Sequence, residues 1–142
     1  MAQFKMQDEV QELIRKFQKL KERNFPYEYV RDNKEFVVEL NRQQLRKGIK
    51  ADDTEVTPYY ANIKYKGRRK PVDLYLKGDF YRSFRVVLGN DGFYIEARDY
   101  KSEMLLKKYG AEVLGINFKS LEILRTTFYL YLQKEIRKEL NL

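Results

Sequence analysis

The fold of this chain is decided by residues 71–97, PVDLYLKGDFYRSFRVVLGNDGFYIEA. Two short apolar runs, 86–88 and 93–97, flank the turn Gly89-Asn90-Asp91-Gly92. Asn, Asp and Gly accept the positive φ angles of tight hairpin turns, so this pattern predicts a β-hairpin. Upstream of it, Gly78-Asp79 predicts a helical turn over residues 80–84 with Asp79 as its cap. Before that turn, Leu74 and Leu76 are predicted to lie on one face of a short extended piece.

Amphipathic helices are predicted on both sides of this hairpin. Apolar residues from Val10 to Leu20 recur at helical spacing, and Asn117 is a suitable cap for the last helix. In that helix, the main apolar stripe is Leu121, Leu124, Phe128, Tyr131 and Leu132, and a second set, Ile123, Leu130 and Ile136, is expected to widen the buried face. The predicted helices cover residues 7–23, 26–47 (which Asp32-Asn33 could divide), 101–108 and 118–140.

These elements predict an α+β fold, with a small antiparallel sheet and hairpin flanked by long N- and C-terminal helices. The 142-residue length is that of one domain. Its predicted parts are a helical N-terminal part (1–49), a β-rich basic part (50–100) that opens with a polar loop, and a helical C-terminal part (101–142).

The chain contains no cysteine and no histidine. Disulfides, thiolate or imidazole metal sites, and the usual general base near neutral pH are therefore excluded. We expect no enzyme activity, no cofactor and no metal. Two carboxylate-based alternatives remain: a cation held by Asp52, Asp53 and Glu55, or hydrolysis by Asp73, Asp79, Asp91 and Asp99. No apolar run is long enough to cross a bilayer, so we expect a soluble protein made in a cytoplasm, with no membrane partner.

The net charge is +8, and the middle of the chain is strongly basic. Such a segment predicts an acidic partner, either a nucleic acid or an anionic protein surface. Neighbouring tyrosines could act as stacking platforms for bases, whereas the plainer alternative is a solvated loop that only keeps the protein soluble. The predicted basic patch consists of Lys64, Lys66, Arg68, Arg69, Lys70, Lys77, Arg82 and Arg85.

The twelve tyrosines and nine phenylalanines are more than one small core is expected to bury. Tyrosine is enriched at interfaces because it buries area with little loss of side-chain entropy. We therefore expect an interface in the middle of the chain, although the tyrosines could instead lie half-buried on a pleated sheet. The predicted interface residues are Tyr59, Tyr60, Tyr65, Gly78, Asp79, Phe80, Tyr81, Ser83 and Phe84.

Two motifs give the chain a resemblance to a known family. They are Pro58-Tyr59-x-x-x-Ile63-Lys64-x-Lys66 and Leu74-x-Leu76-x-Gly78-Asp79-Phe80-x-x-Ser83-Phe84. Together they resemble tailed-phage neck, or head–tail connector and tail-completion, proteins. The later segments 101–110 and 113–117 are similar to versions from Bacteroidetes phages, including crAss-like phages. The resemblance covers about residues 55–125. Lys77 departs from it, because it stands where the family usually has threonine.

This resemblance implies a non-enzymatic structural protein of the virion, assembled in the host cytoplasm. Its copies would form a homo-oligomeric ring that joins the portal to the tail and helps to close the DNA channel. The partners it implies are other neck, portal and tail proteins, with DNA in the channel as a further possibility. The basic segment would face acidic neighbours or line the DNA path, and the terminal helices would pack on the sheet or clasp adjacent subunits. The alternative function is nucleic-acid binding through Lys64–Arg85.

Overall fold

The computed structural model describes residues 2–142, with side chains from residue 6 onward, and most of it is helical. Its elements, in chain order, are α1 (Ala2–Glu22), α2 (Phe25–Asp32), α3 (Lys34–Arg46), α4 (Ile63–Lys66), α5 (Asp79–Arg82), β1 (Phe84–Leu88), β2 (Phe93–Ala97), α6 (Ser102–Tyr109), a 3₁₀ turn (Ala111–Val113) and α7 (Phe118–Leu140). The predicted α+β class is confirmed: one small antiparallel sheet stands between long terminal helices.

The predicted hairpin is also confirmed. Strands β1 and β2 pair antiparallel, with Phe84 opposite Ala97 and Leu88 opposite Phe93. The turn is closed by a hydrogen bond from the Gly89 amide to the Gly92 carbonyl, 2.7 Å long. Side chains alternate in direction along a strand, so Phe84 and Val86 are buried while the residue between them is exposed.

The second predicted helix divides into α2 and α3 at Asn33, where the Asp32-Asn33 pair predicted a possible break. Asn24 caps the start of α2, because its Oδ1 accepts a hydrogen bond from the Tyr27 amide at 3.2 Å. The predicted cap of α7 is confirmed in the same way: Asn117 Oδ1 accepts from the Ser120 amide at 3.0 Å.

The hydrophobic core is built around α3. Val37 and Leu45 of this helix are completely inaccessible to solvent. They belong to one cluster with buried residues from α2, α5, the hairpin, α6 and α7, to which Val56 and Val72 are added from the irregular segments. Every helix and strand except α1 and α4 therefore contributes at least one residue to this buried cluster.

Two buried polar side chains of α3 hold the segment that leads into α7. Asn41 donates to the Val113 carbonyl at 3.0 Å and accepts from the Gly115 amide at 2.8 Å. Gln44 accepts from the Asn117 amide at 2.7 Å and donates to the Gly115 carbonyl at 3.0 Å. These bonds satisfy backbone groups that would otherwise be buried without partners, and they fix where α7 begins.

The prediction of a β-rich middle part needs correction. Between residues 50 and 100, the only strands are those of the hairpin, and Ile49 and Glu55 form an isolated bridge. Leu74 and Leu76 do not share an extended face, because Leu74 has a φ of +56° and Leu76 is exposed. The residue at the N-cap of α5 is Gly78 rather than Asp79, whose carboxylate instead pairs with Arg82.

The terminal helices bury less of their apolar surface than predicted. In α7, Leu124 is buried, but Ile123 and Leu130 from the predicted second set are exposed, so the widened face is wrong. In α1, only Leu20 of the predicted stripe is buried. No helix within residues 2–142 combines the length and the apolar character that a bilayer span requires.

Candidate functional site

The middle of the chain folds around the carboxylate of Asp73, whose side chain is only 15% exposed. It accepts hydrogen bonds from the Tyr60 phenol at 3.1 Å, the Arg68 guanidinium at 2.9 Å and the Tyr75 amide at 3.1 Å. The ammonium of Lys66 lies 3.7 Å away. Charge-assisted hydrogen bonds are stronger than neutral ones, so this one carboxylate orders three separate parts of the segment.

Two tyrosines join this network as hydrogen-bond donors. Burial, together with the nearby charge of Asp73, raises the pKa of Tyr60 to about 12. Burial likewise raises the pKa of Tyr81, which donates to the backbone carbonyl of Asp73. Both phenols therefore keep their protons at neutral pH and hold Asp73 from both its side chain and its backbone.

Residues 60–69 form a closed loop with α4 at its tip. The Tyr60 amide donates to the Arg69 carbonyl at 2.9 Å and closes the base. Asn62 caps α4 by accepting from the Lys64 amide at 2.9 Å. The rings of Tyr60 and Tyr65 meet edge to face with centroids 5.8 Å apart, and Lys66 Nζ lies 5.9 Å from each centroid. The loop is thus held in one shape by hydrogen bonds, ring contacts and cation–π contacts.

The turn at residues 78–84 belongs to the core, which corrects part of the predicted interface. Phe80, Tyr81 and Phe84 are each 5% exposed or less, and their rings contact one another at centroid distances of 5.0 and 5.7 Å. Ser83 donates its hydroxyl to the Phe80 carbonyl at 2.7 Å. The side chains of these four residues are engaged within this chain, and the three rings have almost no exposed surface for a partner to contact.

Gly78 provides the backbone conformation and the space that this buried turn requires. Its φ is +84°, a conformation that residues with a Cβ adopt at a cost. A Cβ at this position would lie 2.8 Å from Arg82 Nη1 and 3.1 Å from Tyr75 Cε2. Gly78 was predicted as an interface residue, and it is buried; its role in this structure is to let Tyr75 and Arg82 approach the backbone.

Beside the loop lies an open cleft of about 750 Å³, here called the tyrosine cleft. Its walls come from three segments: residues 58–66, residues 74–80, and the stretch from Asp99 to Tyr109. Large apolar side chains line it with their surfaces exposed: Tyr59, Tyr65, Tyr75, Leu76 and Met104. Exposed apolar groups gathered in one place are typical of protein–protein contact sites.

Sequence reasoning selected Tyr59, Tyr60 and Tyr65 of this cleft and missed Leu76 and Met104. The available signal was an apolar residue directly beside a charged one, as in Leu76-Lys77 and Glu103-Met104. Met104 lies in the predicted helix 101–108, and the structure shows its side chain exposed. Asp79, also predicted, is exposed at the cleft and paired with Arg82.

The predicted basic patch separates into paired and unpaired cations. Lys66 and Arg68 pair with Asp73, and Arg82 pairs with Asp79. The cations without an ion-pair partner among the side chains described from residue 6 onward are Lys64, Arg69, Lys70, Lys77 and Arg85. Arg85 lies on β1 opposite Glu96, outside the tyrosine cleft. The unpaired positive charge near the cleft therefore comes from the loop, from Lys77, and from Lys101 and Lys108, which line the cleft.

Most of the acidic residues considered for metal binding or hydrolysis have partners within the chain. Asp52 accepts from the Thr54 amide at 3.1 Å, and Glu55 accepts from the Tyr59 phenol. Asp73 is the centre of the network above, and Asp91 lies in the hairpin turn. Across the part of the chain that the structure describes, no group of three or more carboxylates is placed to hold a metal ion.

No family model matches this chain, and neither the curated proteins nor the solved structures contain a significant match. The chemistry of the tyrosine cleft must therefore be judged from its own residues. It combines exposed aromatic and aliphatic side chains with free cations on a rigid support. This combination suits contact with an acidic protein surface that also presents apolar groups.

Proposed function

We propose that this protein is a structural subunit of a tailed-phage neck, whose copies form a ring between the portal and the tail. The observation that carries the proposal is the tyrosine cleft, where five large apolar side chains are exposed around an ordered hydrogen-bond network. The motif resemblance of residues 58–84 supports the same conclusion, because most of the cleft belongs to that segment.

The cleft has the properties expected of a permanent assembly contact. Its loop is fixed by Asp73 before any partner arrives, so little conformational entropy is lost on binding. Tyrosines at its rim add contact area with few rotatable bonds. The unpaired Lys64, Arg69, Lys70 and Lys77 favour an acidic neighbour and would speed its approach.

Copurification with a portal protein tests this proposal. The protein is co-expressed with the portal protein encoded by the same phage, and complexes are isolated and imaged by electron microscopy. Tyr65→Ala should weaken the complex because it removes an exposed cleft ring. Tyr94→Ala is the matched control: Tyr94 on β2 is 58% exposed against 59% for Tyr65, but it lies outside the cleft. Equal loss in both variants, or no complex with the unmodified protein, would contradict the proposal.

A second candidate function is nucleic-acid binding by the same loop. The observation in its favour is that Lys70 Nζ lies 5.5 Å from the centroid of the exposed Tyr59 ring, with other unpaired cations beside it. Aromatic rings next to lysines are typical of surfaces that bind single strands. The isolated protein could bind nucleic acid in this way, or the subunits of a ring could bind the DNA in the channel.

Salt dependence distinguishes this candidate. Binding through phosphates weakens linearly in log affinity against log salt, by about 0.9 per phosphate contacted. Reversing Arg69 and Lys70 to glutamate should flatten that slope by roughly two. Lys119→Glu on α7, away from the loop, should leave the slope unchanged. Affinity that does not respond to salt would eliminate this function and leave the assembly role intact.

A further inference from the structure

The apolar stripe of α1 is uncovered over most of its length. Met6, Val10, Leu13, Ile14 and Phe17 are between 43 and 61% exposed. Among the side chains of α1 described from residue 6 onward, ion pairs to other elements are found at the C-terminal end: Lys19 lies 3.9 Å from Glu139, and Arg23, directly after the helix, bonds Glu28 and Glu135. Leu20, at that end, is buried. An amphipathic helix with its apolar face in water is expected to have a partner.

The spacing of the stripe identifies the kind of partner. Met6, Val10, Leu13 and Phe17 are separated by four, three and four residues, which is the spacing of a coiled-coil seam. Glu9 and Lys16 immediately precede Val10 and Phe17, so they flank the seam on the same side. Side chains in such flanking positions set partner choice and orientation.

We propose that two copies of this protein pair through α1, with the two helices antiparallel across a two-fold axis. In the register that this stripe favours, Met6 packs against Phe17 of the second copy and Val10 against its Leu13. Glu9 then meets Lys16 of the second copy, and the symmetry repeats this ion pair on the other half. The same patch serves both partners, as an isologous contact requires.

The charges disfavour the competing arrangements. In a parallel pair, each Lys16 would lie next to Lys21 of the second copy, and like charges repel. In an antiparallel pair shifted by one heptad, Lys16 would face its own counterpart. That shifted register would also need Leu20, which is already covered within its own chain. The unshifted antiparallel register alone buries the exposed residues and places opposite charges together.

This inference goes beyond the proposed function and does not rest on it. A two-fold contact closes on itself as a pair, whereas a ring needs head-to-tail contacts between different surfaces. The α1 contact and the tyrosine cleft are separate surfaces with separate tests. Either can fail without affecting the other.

Sedimentation equilibrium of the full chain tests the pairing. The unmodified protein should form a dimer, and Leu13→Glu should weaken it on the order of 100-fold, because each introduced carboxylate would be buried in the seam. Leu13 is 45% exposed within one chain, so this variant should fold normally, which circular dichroism checks. A monomer at every soluble concentration, or an assembly that Leu13→Glu leaves unchanged, overturns the proposal.

Charge exchange tests the register. Glu9→Lys alone should weaken the dimer roughly tenfold, because each Lys16 would then face a lysine. Adding Lys16→Glu should restore the affinity, since the pair is only reversed. If the double variant stays as weak as Glu9→Lys, the proposed register is wrong.

Disulfide trapping tests the orientation, which is practical because the chain has no cysteine of its own. Met6→Cys mixed with Phe17→Cys should give a cross-linked dimer on mild oxidation. Phe17→Cys alone should not, because its two copies would lie about 16 Å apart along the helices, beyond the reach of a disulfide. Efficient cross-linking of Phe17→Cys with itself would show a parallel pair and overturn the proposal.

Discussion

The loop at residues 60–69, with Tyr59 directly before it, and the turn at residues 78–84 look alike in sequence, since both combine aromatic residues with cations. In the folded protein they differ completely. The turn lies against α3, where Arg42 donates to the Tyr81 carbonyl at 3.0 Å and Arg46 lies 5.6 Å from the Tyr81 ring centroid. The loop has no such cover, and Tyr59, Ile63 and Tyr65 remain exposed.

This difference shows that aromatic content alone does not identify an interface. The rings of the turn are already paired with each other and with the core, so they contribute to stability. Among the rings of the loop, Tyr60 is hydrogen-bonded to Asp73, whereas Tyr65 and the neighbouring Tyr59 are exposed to solvent. A partner can use only the second group, and four sets of substitutions separate the two roles.

The largest effect is expected from a ring of the turn. Phe80→Ala should lower the free energy of unfolding by about 3–5 kcal/mol, because it leaves a cavity where Phe80 now packs on Phe84. Tyr65→Ala, the matched change in the loop, should lower it by about 1 kcal/mol at most, because Tyr65 is exposed and loses only its contacts with the Tyr60 ring and Lys66. Urea denaturation of both variants measures this; similar losses would remove the distinction between the regions.

The next effect concerns the residue that links the regions. Asp73→Ala should cost about 2–3 kcal/mol, because Tyr60 and Arg68 lose a charged hydrogen-bond partner in a largely buried setting. Asp79→Ala removes an exposed carboxylate that pairs with Arg82, and should cost at most about 1 kcal/mol.

The same denaturation experiment compares these two aspartates. Limited proteolysis adds a local measurement, since the loop should become cleavable in Asp73→Ala and stay resistant in Asp79→Ala. A loop that remains resistant without Asp73 would show that the network does not hold it.

Two glycines provide a finer comparison. Gly78 and Gly67 both have positive φ, +84° and +71°. A Cβ on Gly78 would meet Arg82 and Tyr75, whereas one on Gly67 would meet nothing within 4 Å. Gly67→Ala should therefore cost about 1 kcal/mol of backbone strain, and Gly78→Ala about 2 kcal/mol. Thermal unfolding of the two variants ranks them; the reverse order would mean that the turn is loosely packed.

The smallest effect is the response to alkaline pH. The pKa of Tyr60 is raised from its ordinary value of 10.0 to about 12, so the folded state holds this proton more tightly than the unfolded state. Its contribution to stability is complete below pH 10 and is lost as the pH rises toward 12. Tyr60→Phe should flatten the fall in stability over this range, in denaturation curves measured at several pH values. An unchanged slope would mean that Tyr60 is not held by Asp73.

Elements that are specified by a few neighbouring residues could be predicted from the sequence. The hairpin turn at Gly89–Gly92, the Asn117 cap and the division near Asn33 all depend on neighbouring residues, and all three are present. The prediction that Asp79 caps α5 was wrong. Gly78, in a left-handed conformation, occupies the N-cap position, and the Asp79 carboxylate pairs with Arg82 instead.

The candidate site was only partly predictable. The tyrosines and lysines of the loop were selected from composition, but the same reasoning placed Phe80, Tyr81 and Phe84 at the surface. Leu76 and Met104 reach the cleft from the segment before α5 and from α6, which no sequence spacing connects. The role of Asp73 was missed because its partners lie at positions 60, 66 and 68 as well as 75.

The sequence by itself determined the α+β class, the hairpin, and the amphipathic character of the terminal helices, because hydrophobic period and turn chemistry act over a few residues. Only the tertiary structure decided which apolar surfaces stay open. Burial depends on which elements pack together in three dimensions: α3 covers the rings of residues 78–84, while the stripe of α1 and the rim of the tyrosine cleft are left to solvent.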